Sequence, residues 1–137
     1  MTVAVSKSNI TEIEQGICSE LAHFVYRVPK KNQEAMMHLN EQFADITRKY
    51  GALHLIFQLN NTKAPIEGIT NIAKTISANK DEEVWLVLIF YTDRKQWDEV
   101  GAKMQNDENM ERLYKQSVDL LSPRCSFVMG DFSRLKV

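Results

Sequence analysis

The chain is poor in three residue types that mark special classes of protein, with 2 cysteines, 5 glycines and 3 prolines in 137 residues. So few glycines and prolines exclude a collagen-like or low-complexity chain. Cys18 and Cys125 are too few and too far apart for a disulfide framework or a zinc site. We therefore expect free thiols, as in a reducing cytoplasm, and a single domain large enough to bury a core.

The chain also lacks an excess of either charge and any long apolar segment. The 17 basic and 18 acidic residues give a net charge of −1, and this balance lacks the basic footprint of a protein that binds nucleic acid or an anionic membrane. The longest apolar stretch, residues 84–91, is far shorter than the roughly 18–20 residues that span a bilayer. Residues 1–16 contain no apolar core of a signal peptide. We expect a cytoplasmic protein with neither nucleic acid nor membrane as a partner.

The strongest positive feature is the segment of residues 82–92, which is apolar on both faces of a strand. Successive side chains of a strand point to opposite sides of the sheet. Both sets are apolar here, namely Val84, Leu86, Leu88 and Phe90 on one side and Trp85, Val87, Ile89 and Tyr91 on the other. Helices of the same chain can cover one face. In so short a chain the other face needs a partner subunit, which predicts a homodimer.

Periodicity predicts the remaining elements around this strand. Three other segments alternate as strands do: residues 20–28, 52–59 and 124–135, the last bulged or bent at Gly130. Apolar residues at helical spacing predict a helix over residues 32–50, which ends at Gly51. They predict a second helical region over residues 93–121, which begins with a capping box of Asp93 and Gln96. Residues 62–81 fit either a loop or a short helix.

The resulting order β-α-β-β-α-β predicts an α+β, ferredoxin-like domain. Right-handed crossovers place strands one and three in the middle of a four-stranded antiparallel sheet, with both helical regions on one face. A homodimer would bury the other face, sheet against sheet. We assign this domain to residues 18–137 and regard residues 1–17 as an N-terminal extension.

Four segments carry a family resemblance: residues 24–32 (FVYRVPKKN), 50–53 (YGAL), 102–110 (AKMQNDENM) and 129–132 (MGDF). They resemble a bacterial family of uncharacterised proteins, although Asp131 stands where that family usually has a glycine. The family belongs to the dimeric α/β-barrel superfamily, and the resemblance therefore implies dimerisation through the sheets. Others in the superfamily are monooxygenases, haem-degrading oxygenases, lactone isomerases and regulatory domains. No catalytic residue carries over, since the family has no agreed activity.

Polar and aromatic residues at strand positions are the candidates for a ligand pocket: His23, Arg27, His54, Gln58, Trp85 and Tyr91. We expect the first four on the partner-facing side of strands one and two. A neutral histidine there can act as a general base, and an arginine can hold an anionic oxygen. The alternative is that the polar groups hydrogen-bond across the interface and the aromatic rings anchor the core.

The sequence leaves two functions open and does not decide whether the protein is an enzyme. It contains no H-x-x-x-H or H-E-x-x-H spacing, no glycine-rich phosphate loop and no G-x-S-x-G elbow, so we expect neither metal nor cofactor. One function is a homodimer that binds a small apolar or aromatic molecule between sheet and helices, monooxygenase- or isomerase-like if catalytic. The other is a non-catalytic structural or regulatory dimerisation domain.

Overall fold

The structure, a computed structural model, describes residues 10–11, 16, 18–121 and 127–135. Its strands are β1 (Glu20–Pro29), β2 (Leu53–Gln58), β3 (Glu82–Tyr91) and β4 (Val128–Ser133). Its helices are α1 (Gln33–Lys49), α2 (Ile72–Thr75), α3 (Arg94–Gln105) and α4 (Glu108–Leu120), and a 3-10 turn (Lys30–Asn32) leads into α1. None of the helices in these described ranges is long and apolar enough to cross a membrane.

The four strands form one antiparallel sheet in the order β2-β3-β1-β4. The prediction that strands one and three lie in the middle is confirmed, and so is the α+β, ferredoxin-like order of elements. The second helical region is two helices, α3 and α4, and the segment that fitted either a loop or a helix contains the single turn α2. The beginning of the predicted fourth strand, including Cys125, lies outside the described residues.

The β1–β4 ladder is uninterrupted, and the prediction of a bulge at Gly130 is wrong. Val128 pairs with Val25, and each following residue pairs in turn until Ser133 lies opposite Glu20. A bulge would insert an extra residue on one strand, whereas here Gly130 simply faces His23.

Helix α1 ends and helix α3 begins at the capping residues that the sequence predicts. Gly51 has φ +100°, a left-handed conformation that ends a helix and that glycine adopts without strain. Asp93 accepts a hydrogen bond from the Gln96 amide at 2.7 Å, and the Gln96 side chain accepts one from the Thr92 amide at 2.6 Å. The buried Gln96 side chain also donates to the carbonyl of Gly51 at 2.7 Å. This one side chain therefore ties the start of α3 to the end of α1.

Strand register divides the sheet into two faces. The helix face packs against α1, α3 and α4 and carries Ala22, Phe24, Tyr26, Val28, His54, Ile56, Trp85, Val87, Ile89 and Tyr91. The open face is the other side and carries Leu21, His23, Val25, Arg27, Leu53, Leu55, Phe57, Val84, Leu86, Leu88, Phe90, Val128, Gly130 and Phe132. The main core therefore lies between the helix face and the helices.

Candidate functional site

The open face is covered at its two ends and exposed along its outer strands. At one end Ala73 and neighbouring residues of the β2–β3 connection (residues 59–81) pack on Val25 and Val84. At the other end Ile10 packs on Leu53. On the outer strands β2 and β4 the apolar side chains remain substantially exposed: Leu55, Phe57 (47%), Val128 and Phe132 (50%). An exposed apolar surface of this kind on a sheet is a candidate binding surface.

His23 lies near the centre of the open face, between Leu88 on β3 and Gly130 on β4. The Phe132 ring meets the imidazole edge to face, with ring centroids 5.2 Å apart and an interplanar angle of 72°. The Nδ1 atom of His23 is buried and has no hydrogen-bond partner in the described part of the chain. A buried polar atom without a partner is costly. Nδ1 of His54 is in the same state among the described residues, so it is the position of His23 on the open face that makes it the functional candidate.

The rings of His23 and Phe132 lie so close to position 130 that this position requires a glycine. A Cβ at this position would lie 2.7 Å from Nδ1 of His23 and would overlap the edge of the Phe132 ring. Any larger residue would force one of the rings to move. The glycine that the sequence suggested as a bulge therefore serves close packing, and Gly130 and Phe132 are site residues that the sequence reasoning missed.

Arg27 lies on the open face but is already bound to the same chain. Its Nη1 atom is 3.4 Å from Oε1 of Glu82 and 3.4 Å from the carbonyl oxygen of Ser77. The Glu82 side chain is only 4% exposed, which shields the ion pair from solvent. Arg27 thus holds the β2–β3 connection against the sheet.

His54 lies on the helix face, and the expectation that it shares a side with His23 is wrong. Its Nε2 atom is 3.3 Å from Oδ1 of Asn40, and the Asn40 amide donates to the Tyr26 hydroxyl at 3.2 Å. Burial lowers the pKa of His54 from 6.5 to about 4, because desolvation disfavours the imidazolium. At neutral pH this histidine is an uncharged member of a buried polar network.

The register of β2 also places Gln58 on the side opposite to His23. His54 pairs with Ile89 and Gln58 with Trp85, and both partners belong to the helix face. Since side chains alternate with a period of two, a register shift of one residue reverses every assignment on a strand. Gln58 is exposed at the end of β2.

The two aromatic candidates, Trp85 and Tyr91, belong to the main core of the helix face. Trp85 is 2% exposed, and its indole donates to a carboxylate oxygen of Glu83 at 2.9 Å. Tyr91 contacts Trp97 with ring centroids 4.6 Å apart. Burial, with a smaller effect from Asp131, raises the pKa of Tyr91 to about 12. Neither residue lines the open face, and the six candidates do not converge on one site.

An apolar pocket of about 340 Å³ lies beside His23 at one end of the open face. Its walls include Cys18, Leu21, Phe90 and Phe132. Phe132 also contacts His23, so this one ring separates the imidazole from the pocket. Among the residues that the structure describes, no group of three or more His, Cys, Asp or Glu residues is arranged to hold a metal ion.

Asp131 on β4 belongs to a network of ion pairs and hydrogen bonds. Arg94 donates to both carboxylate oxygens of Asp131, at 2.9 and 3.2 Å, and to Glu20 at 3.1 Å. The Ser133 hydroxyl donates to the same Glu20 carboxylate at 2.8 Å. The network links α3, β1 and β4, whose residues are far apart in the chain, and no local sequence pattern indicates it.

The fold and the exposed residues together define an α+β, ferredoxin-like domain with one partly covered sheet face. The chain belongs to the family described as "Protein of unknown function (DUF1428)", whose model matches residues 21–120. The match extends from β1 to the end of α4. It includes the β1–β3 and β2–β3 strand pairings and leaves out β4. No curated protein matches the chain.

Proposed function

We propose that this protein acts as a homodimer that assembles through the open face of its sheet, as a structural or regulatory dimerisation domain. The observation that carries the proposal is the exposure of apolar side chains on both outer strands of that face, Phe57 on β2 and Phe132 on β4. Burial of apolar surface is the main driving force of association. The resemblance to the dimeric α/β-barrel superfamily supports the same mode of pairing.

The area of the face sets an upper limit on the size of the dimer contact. Four strands about 4.8 Å apart and about eight residues long, at about 3.3 Å per residue, make a face of about 500 Å², and its ends are already covered by the same chain. Two copies would therefore bury at most about 1,000 Å² through the sheets alone, which is the lower limit for a specific interface. Contacts from the rims of the sheet would add to this area.

The chemistry of the face also suits a second copy. Apart from Gly130, the strand residues on this side that are not hydrophobic are His23, Arg27 and Glu82, and Arg27 and Glu82 form an ion pair with each other. A self-complementary interface about a two-fold axis would therefore not bury an isolated charge. Native mass spectrometry and sedimentation velocity test the proposal: a dimer is expected, and a monomer at all concentrations contradicts it.

A second function rests on the apolar pocket beside His23. Its volume of about 340 Å³ lies at the lower end of the range for small-molecule sites, which suits a small apolar or aromatic compound. If the dimer is catalytic, in the manner of a monooxygenase or isomerase, His23 is the better candidate for the base than His54, whose Nε2 atom faces Asn40 in the core. Because the Phe132 ring lies between the His23 imidazole and the pocket, this ring has to move before His23 can take a proton from a bound molecule. A co-purified small mass in native spectra supports this function, and Phe90→Trp, which fills the pocket, should abolish its retention.

We also propose a cytoplasmic location. Cys18 carries a free thiol, which is the usual state of cysteine in a reducing compartment. Cell fractionation followed by immunodetection tests this.

A further inference from the structure

A cleft of about 620 Å³ lies at the end of the sheet where β1 and β2 end and β3 begins. Pro29 pairs with Glu82, and Gln58 pairs with Trp85, so the three strand ends meet at one edge. The β2–β3 connection, residues 59–81, folds back over the open face here through Ala73. Residues of this connection form the opposite wall of the cleft.

The cationic side chains of the cleft have no carboxylate partners. Three lysines line it: Lys30, Lys74 and Lys80. None of them forms an ion pair with any other residue in the described ranges. Three ammonium groups around one concave surface attract anions, since low-dielectric walls concentrate their field.

The two carboxylates of the cleft are already engaged. Glu82 accepts hydrogen bonds from Arg27 at 3.4 Å and from the Asn79 amide nitrogen at 3.0 Å. Glu83 accepts one from the indole of Trp85 at 2.9 Å. Arg27 balances the charge of Glu82, whereas the neutral indole leaves the charge of Glu83 in place. Three lysines therefore face one unbalanced carboxylate. The cleft is net positive in a chain whose overall charge is −1.

The rest of the lining suits an organic molecule with an anionic end. Asn79 accepts from the Asp81 amide through Oδ1 at 2.8 Å, which leaves its side-chain N–H groups available as donors. Gln58 and Thr62 add neutral polar groups. The apolar part of the lining consists of Leu59, Ala73, Ala78 and Val84.

We propose that this cleft binds a small organic anion, a molecule with a phosphate or carboxylate group on a short apolar body. The anionic group lies among the lysines, and the apolar body lies on the floor around Val84. A volume of about 620 Å³ is within the usual range for small-molecule sites. The proposal does not depend on the dimer, because the cleft is complete within one chain.

The test is an NMR titration of the isotopically labelled full chain with phenyl phosphate, benzoate and benzyl alcohol. We expect saturable shifts of the amides of residues 58–62 and 73–84 with at least one of the two anions, and weaker binding at higher salt. The stronger of the two anions identifies phosphate or carboxylate as the preferred group. Equal binding of benzyl alcohol, or no shift at these residues with either anion up to about 10 mM, overturns the proposal.

Two charge-matched triple variants separate a built site from general attraction. The cleft variant is Lys30→Gln, Lys74→Gln and Lys80→Gln. The control variant is Lys95→Gln, Lys103→Gln and Lys115→Gln, on α3 and α4. Each exposed ion pair contributes little to binding, so the loss of all three lysines should weaken anion binding by about tenfold. We expect the control variant to bind the anion with unchanged affinity. Equal weakening of both overturns the proposal. Lys74→Gln alone, on the exposed side of α2, should show a smaller loss and serves if the cleft triple does not fold.

Discussion

The two faces of the sheet are similar in sequence character, but the chain covers one of them fully and the other only at its ends. On β3 the helix-face residues Trp85 and Val87 are 2% and 4% exposed. The open-face residue Leu88, next in the chain, is only half-buried, and its neighbour Leu55 on β2 is exposed. Apolar composition therefore shows that a face needs cover, and the fold shows which face the chain itself covers. The open face is the one that remains for a partner.

The largest effect is expected from a charge on the helix face. Val87→Asp places a carboxylate in the main core, opposite Phe24 and Ile56. A buried carboxylate without a partner costs several kcal/mol, and we expect the variant to lose its cooperative thermal transition. Circular dichroism and one-dimensional NMR measure the loss. A folded Val87→Asp protein of normal stability would contradict the assignment of Val87 to the core.

The adjacent substitution on the open face should separate assembly from folding. Leu88→Asp puts the same charge among the side chains that we propose to meet in the dimer, and we expect a folded monomer in sedimentation velocity. Tyr114→Asp is the matched control, because Tyr114 is an exposed aromatic residue on α4, away from the sheet. A Leu88→Asp protein that remains a dimer like the control would refute the proposed interface.

The pKa of His54 makes the stability of the helix face dependent on pH. Its pKa is about 4 in the folded state and 6.5 when exposed, so between these values the unfolded chain binds a proton that the folded chain does not. The contribution is fully present above pH 6.5 and is lost as the pH falls toward 4, by at most about 3 kcal/mol. Urea unfolding at pH 7 and pH 4.5 measures it.

His54→Gln is the control for this pH dependence. Glutamine keeps a polar group near Asn40 but does not titrate, so the difference in unfolding free energy between pH 7 and pH 4.5 should shrink relative to the unmodified protein. If His54→Gln leaves that difference unchanged, other groups cause it.

A smaller effect is expected at Gly130 on the open face. Gly130→Ala would press against His23 and Phe132, and we expect a loss of about 1–3 kcal/mol with a shift of the Phe132 ring resonances. Gly101 on α3 provides the control, because a Cβ there meets nothing within 4 Å. Gly101→Ala should be neutral or stabilise by up to about 1 kcal/mol. Equal stabilities of the two variants would show that the His23–Phe132 contact tolerates displacement.

Much of the fold follows from local patterns that can be recognised without tertiary information. The alternation of β1, the apolar stripe of α1 and the Asp93–Gln96 cap each depend on residues a few positions apart. Together with the crossover rule they predict strands β1 and β3 in the middle of the sheet. The candidate site was less predictable. His23 is on the open face as expected, but His54 is on the helix face and not on the side predicted for it. Alternation identifies the two sides of a strand without showing which one faces the helices.

The order of elements, the antiparallel sheet and the two apolar faces of β3 can be predicted from the sequence, because they depend on side-chain period and on turn and cap residues. Which residues share a surface is seen in the tertiary structure alone. The Arg94–Asp131 ion pair, the edge contact between His23 and Phe132 and the lysine-lined cleft each join residues that are distant in the chain. Such contacts depend on strand register and on the path of the β2–β3 connection, which the packing of the whole domain sets.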